Sequence, residues 1–440
     1  MVQREWLARN LAATLLGGKW TSQELERRAA EFFGDIHPKI RRRLVHGLMA
    51  DAAKAYPPSP DALVAHFLSS GRFIRLSMAL RRSGRLPAVA LESAQFAPIS
   101  ALAGLKIPEL STPADLAKWL DLSLEQLDWL ADTRRQHIRT AIPILQHYFY
   151  TFIPKRRGLP RLIEAPKPRL RAIQRRILHE MLDVLPAHEK AHGFVRGRSC
   201  LSGAQIHAGE FIVVAVDLRS FFTSVPIARV HALFRSLGYP WAVARLLTGL
   251  CTTSTPVSVF QRPEGRRFDW ETRKRYGVPH LPQGAPTSPA LANLSAWRLD
   301  QRLTGLARSF GANYSRYADD LAFSGDEIFA ARVKSFQHLV ATIARDEGFA
   351  LNGGKTRIMR RGTCQRLTGL IVNEHLNVPR KSYDDLKAIL HNCVRFGPHG
   401  QNRHALPDFR GHLEGRVGWV ESVNSKRGAK LRRIFAAIPW

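Results

Sequence analysis

The sequence predicts an α+β protein with a mainly helical N-terminal domain. Helix-start signals recur through residues 1–140, short strand-like runs alternate with helical patterns from Tyr148 to about residue 375, and residues 380–440 are basic and helical in pattern. The chain has 440 residues, of which 45% are apolar, and this exceeds what one hydrophobic core usually serves. We therefore expect several modules.

In the N-terminal part, a pair of short helices is predicted between residues 112 and 131. Thr112-Pro113 opens the first, and Ser123 with Gln126 forms a capping-box pattern for the second. The apolar spacing of the pair suits a packed helical hairpin, with a helix-turn-helix module as the alternative. Upstream, residues 84–111 are low in charge and rich in Gly, Pro, Ala and Ser, so a linker is expected there.

From Tyr148 onward the pattern changes to strands. Residues 152–163 hold two apolar runs around a basic turn, which predicts a β-hairpin, and a helical pattern follows from Leu170 to Leu185. Residues 211–217 have the length and β-branched content of a buried strand, whereas residues 329–343 show helical spacing that ends at Gly348. The basic C-terminal stretch is interrupted by a turn-rich centre at residues 397–408.

The charge balance predicts a polyanionic partner. Lysine and arginine total 66 against 36 acidic residues, a formal net charge of +30. Such an excess favours salt-sensitive binding to nucleic acid. The alternative is an arginine-rich genome that biases every surface, and solubility alone does not require so large an imbalance.

Cysteine usage and hydropathy indicate a reduced compartment. The four cysteines are far apart in sequence, so they suggest neither a cysteine zinc site nor a disulfide framework. No run of 18 apolar residues occurs, and the charged N-terminus lacks a signal-peptide pattern. We expect a cytoplasmic protein without a membrane partner.

Three aspartates form the candidate catalytic group. Asp217 ends the predicted buried strand, and Asp319 and Asp320 occupy a tight turn after Tyr317. Carboxylates held rigidly at strand ends suit two divalent metal ions, the device of phosphoryl transfer, and so indicate a nucleotide polymerase. Because successive strand residues face opposite sides, Asp319 is expected to be the main partner of Asp217 and Asp320 a support. An isolated Asp-Asp pair is more often an ordinary polar turn.

Residues 148–425 resemble the reverse transcriptases, and among them the bacterial retron type. Residues 216–222 (VDLRSFF) are similar to the first aspartate motif of that family, residues 280–289 (HLPQGAPTSP) to its Pro-Gln-Gly loop, and residues 317–320 (YADD) to its second aspartate motif. The three occur in the family's order. The long N-terminal extension resembles that of the myxobacterial retron enzymes.

The resemblance implies a right-hand polymerase fold of fingers, palm and thumb behind the helical N-terminal extension. The expected boundaries are 1–140 for the extension, 141–210 for the fingers, 211–372 for the palm with a fingers insertion, and 373–440 for a basic thumb. The role of the extension is not implied.

The resemblance also implies a nucleotide-binding set. Gln283 matches the glutamine beside the incoming nucleotide, and Phe222 matches an aromatic residue that crowds a ribose 2′-hydroxyl. The neighbouring Phe221 belongs to the same nucleotide-binding set. Cations matched to the triphosphate are Lys155 or Arg156, Arg161 and Lys355. Taken singly, each of these cations is more often a solvated surface residue. The corresponding alternatives are that Phe222 is a core residue and that the Pro-Gln-Gly loop is a plain turn.

Two further segments resemble retron motifs, each departing at its first residue. Residues 203–207 (GAQIH) match a motif that begins with Asn, and residues 367–370 (LTGL) one that begins with Val. Without this match, a lone histidine such as His207 is interpreted as a structural residue that makes hydrogen bonds. The RNA-binding residues implied in and after these motifs are His207, Thr368, Gly369, Arg380, Lys381, Arg410 and Arg416.

For function, the resemblance implies an RNA-directed DNA polymerase with two Mg²⁺ ions that uses dNTPs. It further implies a dedicated structured RNA as template and primer source, priming from a guanosine 2′-hydroxyl, a branched RNA–DNA product, a role in anti-phage defence and an effector protein partner. One alternative is another reverse transcriptase, of the group II intron or defence-associated kind. Another is a non-catalytic RNA-binding scaffold.

Overall fold

The structure, a computed structural model, describes residues 2–17, 20–51, 60–85, 87, 95–140, 142–155 and 158–440. It is an α+β protein with a helical N-terminal region, as predicted. Arg156 and part of the expected linker at 84–111 lie outside the described residues.

The helices are numbered in chain order. They are α1 (Val2–Leu16), α2 (Ser22–Phe33), α3 (Pro38–Asp51), α4 (Pro60–Ser69), α5 (Gly71–Arg82), α6 (Pro113–Trp119), α7 (Leu124–Ala131), α8 (Pro168–Ile177), α9 (Cys200–Gln205), α10 (Ile227–Ser236), α11 (Trp241–Cys251), α12 (Val257–Phe260), α13 (Pro263–Arg266), α14 (Trp270–Gly277), α15 (Ser288–Ser295), α16 (Trp297–Ser309), α17 (Glu327–Asp346), α18 (Arg380–Phe396), α19 (Phe409–Val423) and α20 (Ser425–Ala436).

The strands form three antiparallel sheets. They are β1 (Tyr148–Ile153), β2 (Arg161–Pro166), β3 (Ile212–Asp217), β4 (Asn313–Tyr317), β5 (Asp320–Gly325), β6 (Arg357–Arg360), β7 (Arg366–Leu367) and β8 (Leu370–Ile371). Strands β1 and β2 pair as the predicted hairpin, β7 pairs with β8, and the main sheet has the order β4-β5-β3-β6.

By compactness the chain divides into two units. The first comprises residues 1–185 and 225–291, and the second comprises residues 186–224 and 292–440. This division cuts the chain at other points than the four predicted parts, so their boundaries stay a prediction.

In the first unit, helices α1 to α5 enclose an apolar core of their own, which includes Leu11, Phe32, Val45, Phe67 and Phe73. The predicted pair follows as α6 and α7, and both carry the expected capping boxes, at Thr112 and Ser123. The N-terminal region is therefore helical because local capping and apolar periodicity agree.

Part of the expected linker is held against its own unit. The Ala97 N–H donates to the Gly238 carbonyl at 2.9 Å, and the Tyr239 hydroxyl donates to the Pro108 carbonyl at 2.9 Å. A side chain at Gly238, where φ is +101°, would come within 2.3 Å of Pro98 N. Residues 95–110 therefore pack as an ordered strap beside α10 and α11.

The second unit is built around β3, all six residues of which are buried. Strands β5 and β6 flank it, and helix α17 contributes buried Phe329, Val333 and Phe336. The predicted helix was thus correct, and Gly348 follows it with φ +80°. A strand that is buried throughout reads as a continuous apolar run, which explains why the sequence revealed it.

Helices α18, α19 and α20 pack together around Leu386, Leu390, Leu413, Val417 and Leu431. The turn-rich centre lies between α18 and α19, as predicted. No helix in the described part of the chain has the length and apolarity that a membrane span requires.

Candidate active site

The sheet register brings the predicted carboxylates together in the second unit. Asp217, the last residue of β3, is directly opposite Asp320, the first residue of β5. Ala318 and Asp319 form the two-residue turn between β4 and β5, and the Leu218 N–H donates to the Asp319 carbonyl at 2.8 Å. Acids that are distant in sequence therefore meet at one end of the sheet.

Asp217 is held on both carboxylate oxygens. Lys355 Nζ donates to Oδ1 at 2.7 Å, and Asn352 Nδ2 donates to Oδ2 at 3.1 Å. The Asn352 N–H also donates to the Asp217 carbonyl at 2.8 Å. The Lys355 ammonium, 61% exposed, neutralises this carboxylate, and its predicted contact with phosphate stays a prediction. A cation in that position compensates charge that a bound divalent ion would otherwise compensate.

Asp320 titrates above the ordinary range for a carboxyl group. Desolvation at the base of the turn, followed by the charges of Asp319 and Asp217, raises the pKa of Asp320 to about 6, although the residue as a whole is exposed. A carboxyl group whose pKa is raised by neighbouring negative charges is an arrangement that a divalent cation relieves. The three side chains supply carboxylate oxygens, which are the ligands that Mg²⁺ prefers.

Beneath the turn lies an ion pair that the sequence reading did not identify. Arg316 of β4 and Asp300 of α16 both have no exposed side-chain surface, and two bonds of 2.8 and 2.6 Å join them. Arg316 also donates to Asn293 Oδ1 at 2.8 Å and to the Ala318 carbonyl at 3.1 Å. This guanidinium therefore ties the turn that carries Asp319 to helices α15 and α16.

A glycine packs against the same turn. A Cβ on Gly193 would lie 2.5 Å from Ala318 N and 3.1 Å from the Tyr317 carbonyl carbon. Asn293 Nδ2 donates to the Gly193 carbonyl at 2.8 Å. Ala318 itself has φ +56°, a conformation that costs energy for a residue with a Cβ and that needs support from its surroundings.

The two phenylalanines after Asp217 differ in exposure. Phe221 is 3% exposed and contacts Phe349, with ring centroids 5.7 Å apart. Phe222 is partly exposed at the start of a 3₁₀ turn and lies 6.3 Å from the ring of Phe194. Phe221 therefore packs in the core of this unit, whereas Phe222 keeps an accessible face. The predicted place of both residues in the nucleotide site stays a prediction.

Both retron-like segments border the carboxylate site. A cavity of about 30 Å³ is lined by Gly203, Thr368, Tyr317 and Asp320, among others. The departures from the motifs have local reasons: a Cβ on Gly203 would come 3.2 Å from His192 Cβ, and Leu367 is buried in an apolar cluster. The fold thus joins segments that are far apart in sequence.

His207, predicted to bind nucleic acid, has a ring that is enclosed by protein, and its role toward RNA stays a prediction. It is fully buried, and its ring nitrogens lie 2.8 Å from Ser324 Oγ and 2.8 Å from Ser315 Oγ. Burial lowers the pKa of His207 to about 3, so the ring is neutral. The histidine fastens the end of α9 to strands β4 and β5.

The remaining nucleotide-site candidates are in the first unit. Gln283 accepts the Glu164 N–H of β2 at 2.9 Å through its carbonyl, and Gly284 has φ +137° with room only for hydrogen beside Glu164. Arg161 begins β2 and is exposed, and Lys155 follows β1 and is exposed. The Pro-Gln-Gly loop and the basic hairpin are therefore neighbours, since the loop continues the β2 edge.

The basic C-terminal helices present cations and a groove. Gly369, Arg416 and the partly exposed Trp419 line a groove of about 550 Å³, together with the N-terminal end of α18. Arg380 lies 3.6 Å from Asp384, and Arg410 lies over the ring of Trp440. Lys381 is exposed. Thr368 has φ +45°, and its hydroxyl, though buried, has no hydrogen-bond partner in the described structure.

Comparison with known proteins identifies the class. The family model described as "Reverse transcriptase (RNA-dependent DNA polymerase)" matches residues 153–383, which include β2, the Pro-Gln-Gly loop and all three aspartates. With an α+β fold and carboxylates paired across a sheet, the chain is a reverse transcriptase, an RNA-directed DNA polymerase with fingers, palm and thumb.

Similarity to curated proteins indicates which kind of reverse transcriptase the chain is. Retron Mx65 reverse transcriptase of Myxococcus xanthus is 40% identical over 334 residues, 76% of this chain and 73% of the relative. Retron Mx162 reverse transcriptase of the same organism is 38% identical, over 69% of this chain and 63% of the relative. Retron Ec86 reverse transcriptase of Escherichia coli is 29% identical, over 78% and 93%. The chain belongs to the retron reverse transcriptases.

Proposed function

We propose that this reverse transcriptase copies a dedicated structured RNA into single-stranded DNA that stays branched from that RNA, with a guanosine 2′-hydroxyl as primer. The observation that carries the catalytic part is the register pair of Asp217 and Asp320, with Asp319 in the adjoining turn. The branched product rests on the similarity to retron enzymes of Myxococcus xanthus.

In this proposal Asp217 and Asp319 hold two Mg²⁺ ions and Asp320 assists. When bound, such ions activate the attacking hydroxyl and neutralise charge on the leaving pyrophosphate. Lys355 Nζ now donates to Asp217 Oδ1, and a bound Mg²⁺ ion would compensate that carboxylate in place of the ammonium. The Lys355 ammonium would then be available to phosphate, its predicted role.

The nucleotide pocket is proposed to use residues of both predicted fingers and palm. Lys155 and Arg161 neutralise the triphosphate of the dNTP, Gln283 lies beside the sugar, and Phe222 excludes a ribose 2′-hydroxyl. The accessible face of Phe222 supports this role. We assign the thumb to residues 373–440 and the palm to residues 211–372, preceded by fingers at 141–210.

RNA selection is assigned to the thumb. Arg380, Lys381, Arg410 and Arg416 lie on helices α18 and α19, and the groove beside Gly369 carries Arg416 and Trp419. Cations with an aromatic side chain suit phosphate contact with base stacking. An effector protein and a role in anti-phage defence stay predictions that follow from the resemblance to retrons.

The catalytic assignment is tested with the Asp319→Asn, Asp320→Asn variant. We expect loss of DNA synthesis by at least about three orders of magnitude, as for removal of an essential catalytic group, with RNA binding unchanged. Primer extension and filter binding measure the two properties, and Asp326→Asn serves as a control that changes a helix cap instead. Synthesis that persists in the double variant contradicts the assignment.

The product is identified by sequencing nucleic acid that copurifies with the full chain. A covalent RNA–DNA branch at a guanosine supports the retron product. Linear complementary DNA of unrelated transcripts favours another kind of reverse transcriptase, and bound RNA without DNA favours the scaffold alternative.

A further inference from the structure

A second group of potential metal ligands lies in the first unit, outside the carboxylate site. Asp132, His137 and His147 each offer one ligand atom, and these three atoms lie within 4.8 Å of one another. Both histidines are buried, with 5% exposure each. Imidazole and carboxylate in this combination are ligands that zinc accepts.

In both histidines Nε2 bonds to a protein oxygen outside the cluster, so Nδ1 is the ring nitrogen that can bind a metal ion. His147 Nε2 lies 2.8 Å from the Trp129 carbonyl, which can only accept, so Nε2 carries the proton. His137 Nε2 lies 3.2 Å from Thr253 Oγ1. In metal sites the ring nitrogen that does not bind the metal makes this kind of bond to a protein oxygen, which fixes the orientation of the ring.

Asp132 is positioned by its backbone neighbours. It ends α7 with φ +37°, and its carboxylate accepts the N–H groups of Gln136 at 2.7 Å and His137 at 3.0 Å. The same carboxylate contacts His137 Nδ1. The carboxylate is therefore fixed beside His137 Nδ1, the ring nitrogen that would bind a metal ion.

The ligand atoms border a cavity of about 420 Å³ in this unit. Ser254 lines the same cavity, is 2% exposed, and its hydroxyl has no hydrogen-bond partner among the described residues. Arg135 and Arg245 also line it. The cavity lining is mostly apolar, but the unpaired hydroxyl and the two arginines give it room and polar groups for water or a small anion beside a cation.

We propose that Asp132, His137 and His147 bind one Zn²⁺ ion, with a fourth position open to this cavity for water or a small anion. The ion connects the end of α7, the turn at 132–139 and the residue before β1. It would stabilise the junction between the predicted N-terminal extension and the hairpin of the fingers. This site is independent of the Mg²⁺ ions proposed for polymerisation.

The test uses Co²⁺ as a spectroscopic substitute for zinc in the full chain. The Asp319→Asn, Asp320→Asn background removes two of the three carboxylates that would also take up the probe and leaves Asp217 paired with Lys355. We expect one equivalent of Co²⁺ with visible d–d absorption, displaced by Zn²⁺, and at least about tenfold weaker binding in His137→Gln and in His147→Gln. Plasma mass spectrometry of the purified chain should find zinc near one equivalent.

The matched control is His179→Gln, an exposed histidine paired with Asp183 in the same unit, which should leave Co²⁺ binding unchanged. A folded background protein that takes up no Co²⁺ and contains no zinc overturns the proposal without reference to any histidine variant. Binding that survives both His137→Gln and His147→Gln overturns it as well. In that case the three residues form only a hydrogen-bonded cluster.

Discussion

Arg316 illustrates how a single buried side chain holds the turn that carries Asp319. Its guanidinium bonds at once to Asp300, Asn293 and the Ala318 carbonyl, with no exposure to solvent. A buried ion pair is costly to desolvate and is kept only when all of its bonds are made. The position directly below the turn gives this network a role in orienting Asp319.

Replacement of Arg316 by Met is expected to lower the free energy of unfolding by about 3–5 kcal/mol, because Asp300 is left buried without a cation. Urea denaturation of the variant measures it. Arg9→Gln removes a cation whose pair with Glu5 is 60% and 51% exposed, and should cost at most about 1 kcal/mol. Equal losses in the two variants would show that Arg316 does not stabilise the fold.

A buried histidine predicts a pH dependence of stability. Burial alone lowers the pKa of His280, but the charge of Glu164, 2.8 Å away, and hydrogen bonds to Glu164 and the Val278 carbonyl outweigh it and raise that pKa above 6.5. A raised pKa contributes stability that is complete below the unfolded-state value and is lost as the pH rises through the folded-state value.

The wild type should therefore exceed Glu164→Gln in unfolding free energy most at pH 6, and the difference should shrink as the pH rises above 6.5. Urea midpoints at intervals between pH 6 and pH 9 measure the trend. A difference that is constant over this range would contradict the assignment.

Single residues could be predicted from the sequence where a local motif marks them. Asp217, Asp319 and Asp320 were predicted because each interrupts or ends an apolar run in a recognisable motif. Arg316 with Asp300, and Asp132 with His137 and His147, were not, since nothing in their local sequence distinguishes a buried polar partner from a surface residue. Only the fold shows which partners they have.

At the scale of elements, the turn between β4 and β5 depends on the loop that packs on it. Gly193 touches the backbone of Tyr317 and Ala318 so closely that a methyl group has no space. Since the obstacle is backbone on both sides, it is not relieved by a change of rotamer. The catalytic turn and the 193 loop therefore form one rigid assembly.

Gly193→Ala is expected to displace this turn and lower the rate of DNA synthesis at least about tenfold. Gly305→Ala is the matched control, because Gly305 lies in α16 with open space around it and the change should stabilise the helix by up to about 1 kcal/mol. Single-nucleotide extension rates compare the two. Normal rates in Gly193→Ala would show that the turn tolerates the displacement.

Elements with a strong local signal were predicted well. The hairpin of β1 and β2, the capped pair α6 and α7, and helix α17 all form where periodicity and caps agreed. The packing of residues 95–110 was not predicted, because small residues without charge are equally typical of linkers and of chains that lie close to another backbone, as at Gly238.

At the scale of the whole molecule, the charge of +30 sets the conditions for binding. Phosphate contacts release counterions, so affinity for RNA is a steep function of salt. The relevant cations are distributed over the chain, and those assigned to RNA selection lie on α18 and α19.

Affinity for structured RNA should fall by about 10³-fold or more between 50 and 200 mM salt if six or more phosphates are contacted. In the Arg410→Gln, Arg416→Gln variant the slope of log affinity against log salt should decrease by about 2, or about 1 for each lost contact. Filter binding over a salt series measures it. The control is the Arg9→Gln, Arg42→Gln variant, which removes two exposed cations from the N-terminal helices. An equal decrease of the salt slope in this control would disprove the assignment of RNA selection to the thumb.

The pairing of Asp217 with Asp320 also determines where this enzyme can change over evolutionary time. Because hydrogen-bond register, and not the length of intervening chain, sets the separation of these acids, the helices α12 to α14, which lie between β3 and β5 in sequence, can change in number without altering it. A deletion of one residue within β3 or β5 would turn an acid to the opposite face. Diversification is therefore expected in the inserted helices, while both strands keep their lengths.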